Sequence, residues 1–418
     1  MKNTFIISVV IFISASFCLK AYSQTAEKDD KITVKFSGFV NSQLMYDSRK
    51  NVDARESMLV LYPLSEKLGR NGADLNSQAS FNQLAMISRV KATISGPDVL
   101  KAKMTGIIES DFSGASNIEN NSLRLRHAYL KMNWTKQELI VGQYWHPINV
   151  PEMLPSLLSL NTGAPFHPFS RHIQVRTSRD FGKLKLIGVL ASQRDFATLG
   201  YDEATKAVVA SSAYMRNALI PNAHLQLQYK TEKLLIGAGG DFKAIKPRVY
   251  TDSLYANNEI LNSYAAVGFV NYIGKKIDIK FEGIWGQNLY EHLMLGGYAE
   301  RRIDPLTRIT TYTNVDQVSF WTQVSTKKEH FNVGVFGGYL KNLGSLDNYF
   351  GKTYTRGSDV AYIYRVTPIF SYTEKNFKIM AEAEYTVAAY GKPDTLGEIQ
   401  TSKEYKNIRG LLGVFYNF

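Results

Sequence analysis

Arginine carries the clearest chemical signal in this sequence. Arg89, Arg124, Arg126 and Arg176 fall on the polar side of segments that otherwise alternate with apolar residues, and Arg365 and Arg409 do so near the C-terminus. A guanidinium offers planar, paired donors that fit a carboxylate or a phosphate. A row of them suits the selection of small anions. Lys91, Arg171 and His172 join this set, with the carboxylates Glu109 and Asp111 among them. Other chemistry is thin. Ser, His and Asp are scattered with no nucleophile signature. His146, His167 and His172 gather around one segment, but their spacing is not a zinc pattern and no metal is expected. Gly237-Ala238-Gly239-Gly240 lies inside an alternating segment with no helix after it, so it is not a phosphate loop. No catalytic residue and no cofactor follow from these residues.

The elements that carry the arginines have a period of two. In 32–46, Ile32, Val34, Phe36, Val40, Leu44 and Tyr46 share one face, and Lys35, Ser37, Asn41 and Gln43 share the other. The same alternation recurs over 222–230, 277–288 and 377–389. Tight polar or glycine-bearing turns are expected at 95–98, 135–138, 181–183, 231–233, 273–276, 326–329 and 373–376, each a hairpin connection. Long connections lie between them. Alternating short turns and long loops mark a transmembrane antiparallel β-barrel, with short turns toward the periplasm and long loops outside. The count predicts about 16 strands, a size that leaves an aqueous lumen. The C-terminal segment Gly410–Phe418 alternates and ends on an aromatic residue, as such barrels do. A soluble, secreted all-β protein also alternates, but it would rarely sustain this turn and loop rhythm.

The N-terminus reads as an export leader. Lys2 precedes the apolar run Phe5–Leu19, and Ala21-Tyr22-Ser23 places cleavage after Ser23. The expected organisation is a leader over 1–23, a short segment 24–31, and one barrel over 32–418. Cys18 is the chain's single cysteine and falls in the leader, which leaves no disulfide or thiol chemistry. Removing the leader, with Lys2 and Lys20, leaves 395 residues and a formal charge of +10 from 47 basic and 37 acidic side chains. No nucleic-acid motif accompanies this charge, so it is assigned to a field for small anions rather than to nucleic acid. After the leader no apolar run is long enough for a spanning helix.

In a barrel the apolar parity meets lipid and the polar parity lines the lumen. On 83–94 this sends Leu84, Met86, Val90 and Ile94 outward, and Arg89 and Lys91 inward. On 100–111 it sends Ala102, Met104 and Ile108 outward, and Lys101, Lys103, Glu109 and Asp111 inward. His172, Gln174, Arg176, Arg365 and Arg409 also face inward. The segment 122–134 has apolar residues on both parities. Arg124 and Arg126 are placed inward because lipid exposure would be costly, with a bulge to switch parity further on. The connection 146–171 differs from the others. It holds five prolines and the apolar stretch Met153–Leu160, and it is the third long loop. It is expected to fold inward as a constriction, the other option being an exposed lid or a subunit contact. The apolar Met58–Tyr62 segment is expected at a subunit contact or over the pore mouth.

The hairpin Leu123-Arg124-Leu125-Arg126-His127-Ala128-Tyr129-Leu130, followed by Leu139-Ile140-Val141-Gly142-Gln143-Tyr144-Trp145, resembles the DcaP-like porins and, more loosely, the phosphate-selective porins. That resemblance implies a 16-stranded trimeric barrel in a Gram-negative outer membrane, an infolded third loop and a preference for anionic solutes such as dicarboxylates. The sequence thus predicts a passive channel for small hydrophilic anions, a homotrimer set in outer-membrane lipid and lipopolysaccharide. The rival expectations are a surface barrel whose long loops act as an adhesin or receptor, and an outer-membrane enzyme.

Overall fold

The computed structural model describes residues 31–418, so the expected leader and residues 24–30 lie outside the described residues. Sixteen strands form one antiparallel barrel. They are β1 (Thr33–Asp47), β2 (Arg89–Ser95), β3 (Lys103–Asp111), β4 (Arg124–Asn133), β5 (Gln137–Trp145), β6 (Arg171–Phe181), β7 (Leu184–Ser192) and β8 (Asn222–Lys230). The second half is β9 (Leu234–Ile245), β10 (Leu261–Ile273), β11 (Ile277–Gln287), β12 (Thr310–Thr326), β13 (Phe331–Gly344), β14 (Val360–Glu374), β15 (Phe377–Gly391) and β16 (Ser402–Asn417). Each strand pairs with its neighbour in sequence, and β1 pairs with β16 from Phe39↔Asn417 to Asp47↔Arg409, which closes the ring. Closure leaves no edge and satisfies every strand's backbone within the wall, the condition for crossing a bilayer with strands. None of the described helices is long and apolar enough to cross a membrane.

Seven connections are tight and lie at one end of the barrel, where the sequence places its turns. The eight others are long: L1 (48–88), L2 (112–123), L3 (146–170), L4 (193–221), L5 (246–260), L6 (288–309), L7 (345–359) and L8 (392–401). The outward parity is apolar. Leu225, Leu227, Ile236, Phe281, Phe320, Val335, Val366 and Leu412 are all exposed on it. Near the tight turns the exposed residues become aromatic, with Phe181, Tyr229, Tyr272, Phe331 and Phe377, as at a membrane interface.

Two local expectations fail, and a third, the bulge in 122–134, is found. The segment 83–94 is not one strand: Ser80–Leu84 and Arg89–Ser95 pair separately with β1, and a turn over 85–88 divides them, closed by Ser88 N–H to the Ala85 carbonyl (3.1 Å). The turn reverses the parity, so Leu84 pairs beside inward Gln43, and Met86 is buried in the interior instead of facing lipid. Ala102, also expected outward, is buried in the β2–β3 turn, where it bridges Val99, and Lys101 sits in that turn with φ +61°. On β4 a bulge lies at Arg126: His127 pairs with Glu109 and Leu125 with Ser110, leaving Arg126 without an opposite number. The extra residue lets Arg126 and His127 both turn inward while Leu125 and Leu130 stay exposed.

Candidate pore constriction

The inward arginines do not stand alone. Asp111 on β3 accepts from Arg124 Nε (3.1 Å) and Nη2 (2.8 Å) and from Arg126 Nη1 (2.9 Å). Glu109, two residues earlier and on the same face, accepts from Arg126 Nε (2.8 Å), with Arg89 Nη1 at 3.6 Å. Arg171 stacks on Trp145 (4.5 Å) and Phe169 (5.1 Å) and pairs with Asp195 of L4 (2.7 Å). Arg55, from L1, lies over Phe196. Burial would raise the Asp195 carboxyl, but Arg171, Arg124, Arg55 and Arg126 outweigh it and hold the group below its ordinary value. Arg176 makes no ion pair among the described residues and leans on Tyr144 at 5.8 Å, and Lys91 is half-buried beside Glu109 in register.

A second group continues the first across the closing seam. Arg409 on β16 donates to Asp47 on β1 (3.0 Å), and Arg365 on β14 lies 3.7 Å from Glu384 on β15, next to Glu382. Since β1 pairs with both β16 and β2, the two groups form one charged arc from β14 round to β6. It contains nine cations (Arg55, Arg89, Lys91, Arg124, Arg126, Arg171, Arg176, Arg365 and Arg409) and six carboxylates (Asp47, Glu109, Asp111, Asp195, Glu382 and Glu384). The formal excess is three positive charges.

L3 leaves β5 within the span of this arc, crosses to β10, β11 and β12, and also reaches arc members on β14 and β15. Its Glu152 carbonyl accepts from Asn271 on β10 (3.3 Å), and its Leu154 carbonyl from Lys280 on β11 (2.7 Å). Ser156 N–H donates to Gln323 on β12 (2.9 Å), and Leu158 N–H to Glu382 on β15 (2.5 Å). On the way back, the Ala164 carbonyl accepts from Arg365 (3.1 Å), the Phe166 carbonyl from Ser319 (3.1 Å), and His167 meets Glu282 (2.7 Å), which Trp321 also reaches (2.8 Å). Backbone groups of an irregular segment thereby find partners on strands. The apolar residues of L3, Met153, Phe166 and Phe169, are buried with Trp321, Phe336 and Leu340 of the wall. Met58–Tyr62 of L1 lies in the same interior: Asn161 of L3 donates to the Val60 carbonyl (2.8 Å), and Arg365 to that of Leu61 (2.8 Å). Leu289 and Leu293–Leu295 of L6 complete this luminal core.

No family model matches the sequence, and no curated protein matches it. Solved structures do match the fold. The outer membrane channel DcaP of Acinetobacter baumannii superposes with a TM-score of 0.67 at 16% identity, covering 94% of this chain and 99% of that one. OmpT of Vibrio cholerae, folded in vitro and in a trimer form, gives 0.55 at 11% identity over 93% and 100%. Salmonella typhi OmpF in complex with daunomycin gives 0.51 at 9% identity over 92% and 97%. The chain has the porin fold.

Within that porin fold, the arc residues predicted from the polar parity all lie on inward strand positions or at their ends. Sequence reasoning missed Arg55, Asp195 and Asp47, the first two because they reach the arc from loops. Of the three histidines it grouped, His146 and His172 do meet, but His167 does not join them. His167 crosses to Glu282, whereas His146 meets His224 and His292, and His172 also meets His292. Among the described residues no group of three or more His, Cys, Asp or Glu is placed to hold a metal ion. His224 was visible as a polar residue on an alternating strand. His292, in L6, carried no periodic signal.

Proposed function

We propose that the chain is an outer-membrane porin, exported by its leader, through which small hydrophilic and preferentially anionic solutes diffuse passively. L3 acts as the constriction, and three copies assemble side by side in lipid and lipopolysaccharide. The observation that carries this reading is the pairing of an infolded L3 with a charged arc of net positive sign on the wall beside it. Such a narrowing concentrates anions and repels cations at the narrowest passage. The trimer form of the Vibrio cholerae OmpT supports the oligomer. Planar-bilayer recording of the refolded mature protein in a potassium chloride gradient tests it. Discrete steps with an anion-biased reversal potential are expected, and three conductance levels per insertion mark the trimer.

One observation favours a second reading. L1, L3 and L6 together pack an apolar core inside the barrel, which suits a closed barrel whose long loops bind a partner. Absence of current from a correctly folded, heat-modifiable protein would select that reading over the porin.

A further inference from the structure

Four of the chain's seven histidines meet where L3 leaves and rejoins the wall. His146 is the first residue of L3, His172 follows its last turn on β6, His224 stands on β8 and His292 comes from L6. The His146 ring centroid lies 4.6 Å from those of His172 and His292 and 6.4 Å from that of His224, and His172 stacks on His292 at 5.9 Å. All four are buried.

The hydrogen bonds of His146 require a neutral ring, whereas His224 faces an acceptor at each nitrogen, Asp241 at Nδ1 (3.1 Å) and Gln226 Oε1 at Nε2 (3.3 Å). Ile148 N–H donates to His146 Nδ1 (3.4 Å), so Nε2 carries the hydrogen and donates to Asn222 Oδ1 (2.8 Å). The Asn222 amide is held in turn by Asp241 (2.6 Å) and the Phe242 carbonyl (3.0 Å). The Ser170 hydroxyl meets His292 Nδ1 (2.8 Å), Phe169 N–H donates to the His292 carbonyl (3.0 Å), and His146 N–H to the Ser170 carbonyl (3.1 Å). Both ends of L3 are thus tied to each other and to L6 through this cluster. Among the described residues neither ring nitrogen of His172 has a hydrogen-bond partner.

The charged groups facing the cluster are few. Asp241 on β9 sits 3.1 Å from His224 and 3.7 Å from His146; Glu291 of L6 sits 3.6 Å from His292 and 2.6 Å from Lys243 of β9. Arg171, though adjacent in sequence to His172, is engaged by Asp195 and Trp145. Two carboxylates against one ammonium leave the cluster at −1. One proton can therefore be absorbed with its charge balanced. A second and third would be buried positive charges without counter-charge, in rings less than 6 Å apart, which is costly.

We propose that this histidine cluster is an acid-operated latch on L3. A neutral His146, packed against His172 and His292, holds the two ends of L3 and L6 to the wall, and uptake of protons beyond the one that Asp241 balances beside His224 frees L3 and changes the width of the passage. A free imidazole titrates near ~6.5, so the latch is fully formed above that pH and is lost as pH falls below it. Each imidazole that charges only on release lowers the latched population about tenfold per pH unit in that window. Carboxylates, with ordinary values near ~4, act lower and are separable.

The proposal rests on L3 lying in the lumen and not on the identity of the solute. Hydrogen exchange of the amides of 146–171, corrected for intrinsic rates, is to be measured on the folded full chain in lipid vesicles at pH 7.5 and 5.0. Exchange is expected to rise at least tenfold on acidification. In His172→Leu, which sacrifices no hydrogen bond, the rise should shrink several-fold. In the double variant with His292→Asn, which keeps an acceptor for Ser170, it should fall below threefold. His330→Gln, on an exposed turn, should behave as the parent. Flat exchange in the parent, or an undiminished rise in His172→Leu, overturns the latch. Current recorded on the same preparations separates the two questions: a pore silent at every pH sinks the porin reading, while the exchange result still decides the latch.

Discussion

Arg176 is the cleanest probe of the electrostatic reasoning. The other strand arginines of the arc are bound to carboxylates, and Arg126→Glu would set a third carboxylate against Glu109 and Asp111, both of which need its guanidinium. Breaking such a buried network costs about 3–5 kcal/mol and would confuse selectivity with misfolding. Arg176 has no ion pair among the described residues and rests against Tyr144, so Arg176→Gln removes one charge and little structure. A unit charge about 5 Å from a passing ion in water is worth about 0.8 kcal/mol. That is roughly a fourfold change in local concentration for each sign of ion, and at most about fifteenfold in their ratio, with some loss to screening at ~0.1 M salt. The reversal potential in a tenfold potassium chloride gradient should therefore move toward cation preference in Arg176→Gln. Glu109→Gln, which unmasks charge on Arg126 and Arg89, should move it the other way. Identical reversal potentials in parent and both variants would refute the claim that permeating ions sense this arc.

Arg365→Ala removes the donor to the Ala164 and Leu61 carbonyls and leaves Glu384 without its cation. Each buried group left unpaired costs about 1–3 kcal/mol, so L1 and L3 should loosen together, seen as noisier current and faster proteolysis within 48–88 and 146–170. Val366→Arg puts a charge on the exposed outer face of β14. It should destabilise the folded barrel by about 2–4 kcal/mol in urea titrations from vesicles if that face meets lipid at mid-depth, and by almost nothing if it meets water. At Gly142 φ is +132°, and a Cβ would come within 2.3 Å of the Ala128 carbonyl oxygen. Gly142→Ala should therefore disrupt the β4–β5 hairpin and reduce the heat-modifiable folded band on gels. Asp195, held below its ordinary range by Arg171 and its neighbours, contributes stability that is present above pH ~4 and lost only in stronger acid. The tether of L4 to Arg171 should accordingly survive pH 5, with exchange of 193–198 unchanged there.

The barrel was legible because a strand exposed to lipid on one side and to water on the other must alternate, residue by residue, and 16 such strands repeat the same statement. The turn over 85–88 escaped notice because Met86 and Ile87 are apolar and a parity reversal between them leaves no mark in composition. The bulge at Arg126 was signalled by the clash of apolar residues on both parities of 122–134, since an extra residue is the local means of changing sides. Inward facing was readable for Arg124 and Arg126, but their mutual neutralisation by Asp111 was not: the register of β3 against β4 decides it, and register is a property of two segments at once. The histidine cluster was the least legible feature. It joins positions 146, 172, 224 and 292 through two loops and two strands, and no local pattern encodes that meeting.

The pairing of β1 with β16 has a consequence for how the molecule comes into being. Asn41 donates to the Val414 carbonyl across 373 positions of chain, so the first hairpins to form cannot complete the wall by themselves. Until the final strand arrives, the growing sheet carries two raw margins of unpaired amides and carbonyls, each able to recruit a neighbouring chain. Local hairpins zip quickly, but the ring waits on the slowest encounter the chain can make. A cell making this protein must shelter those margins for the whole interval between synthesis and closure.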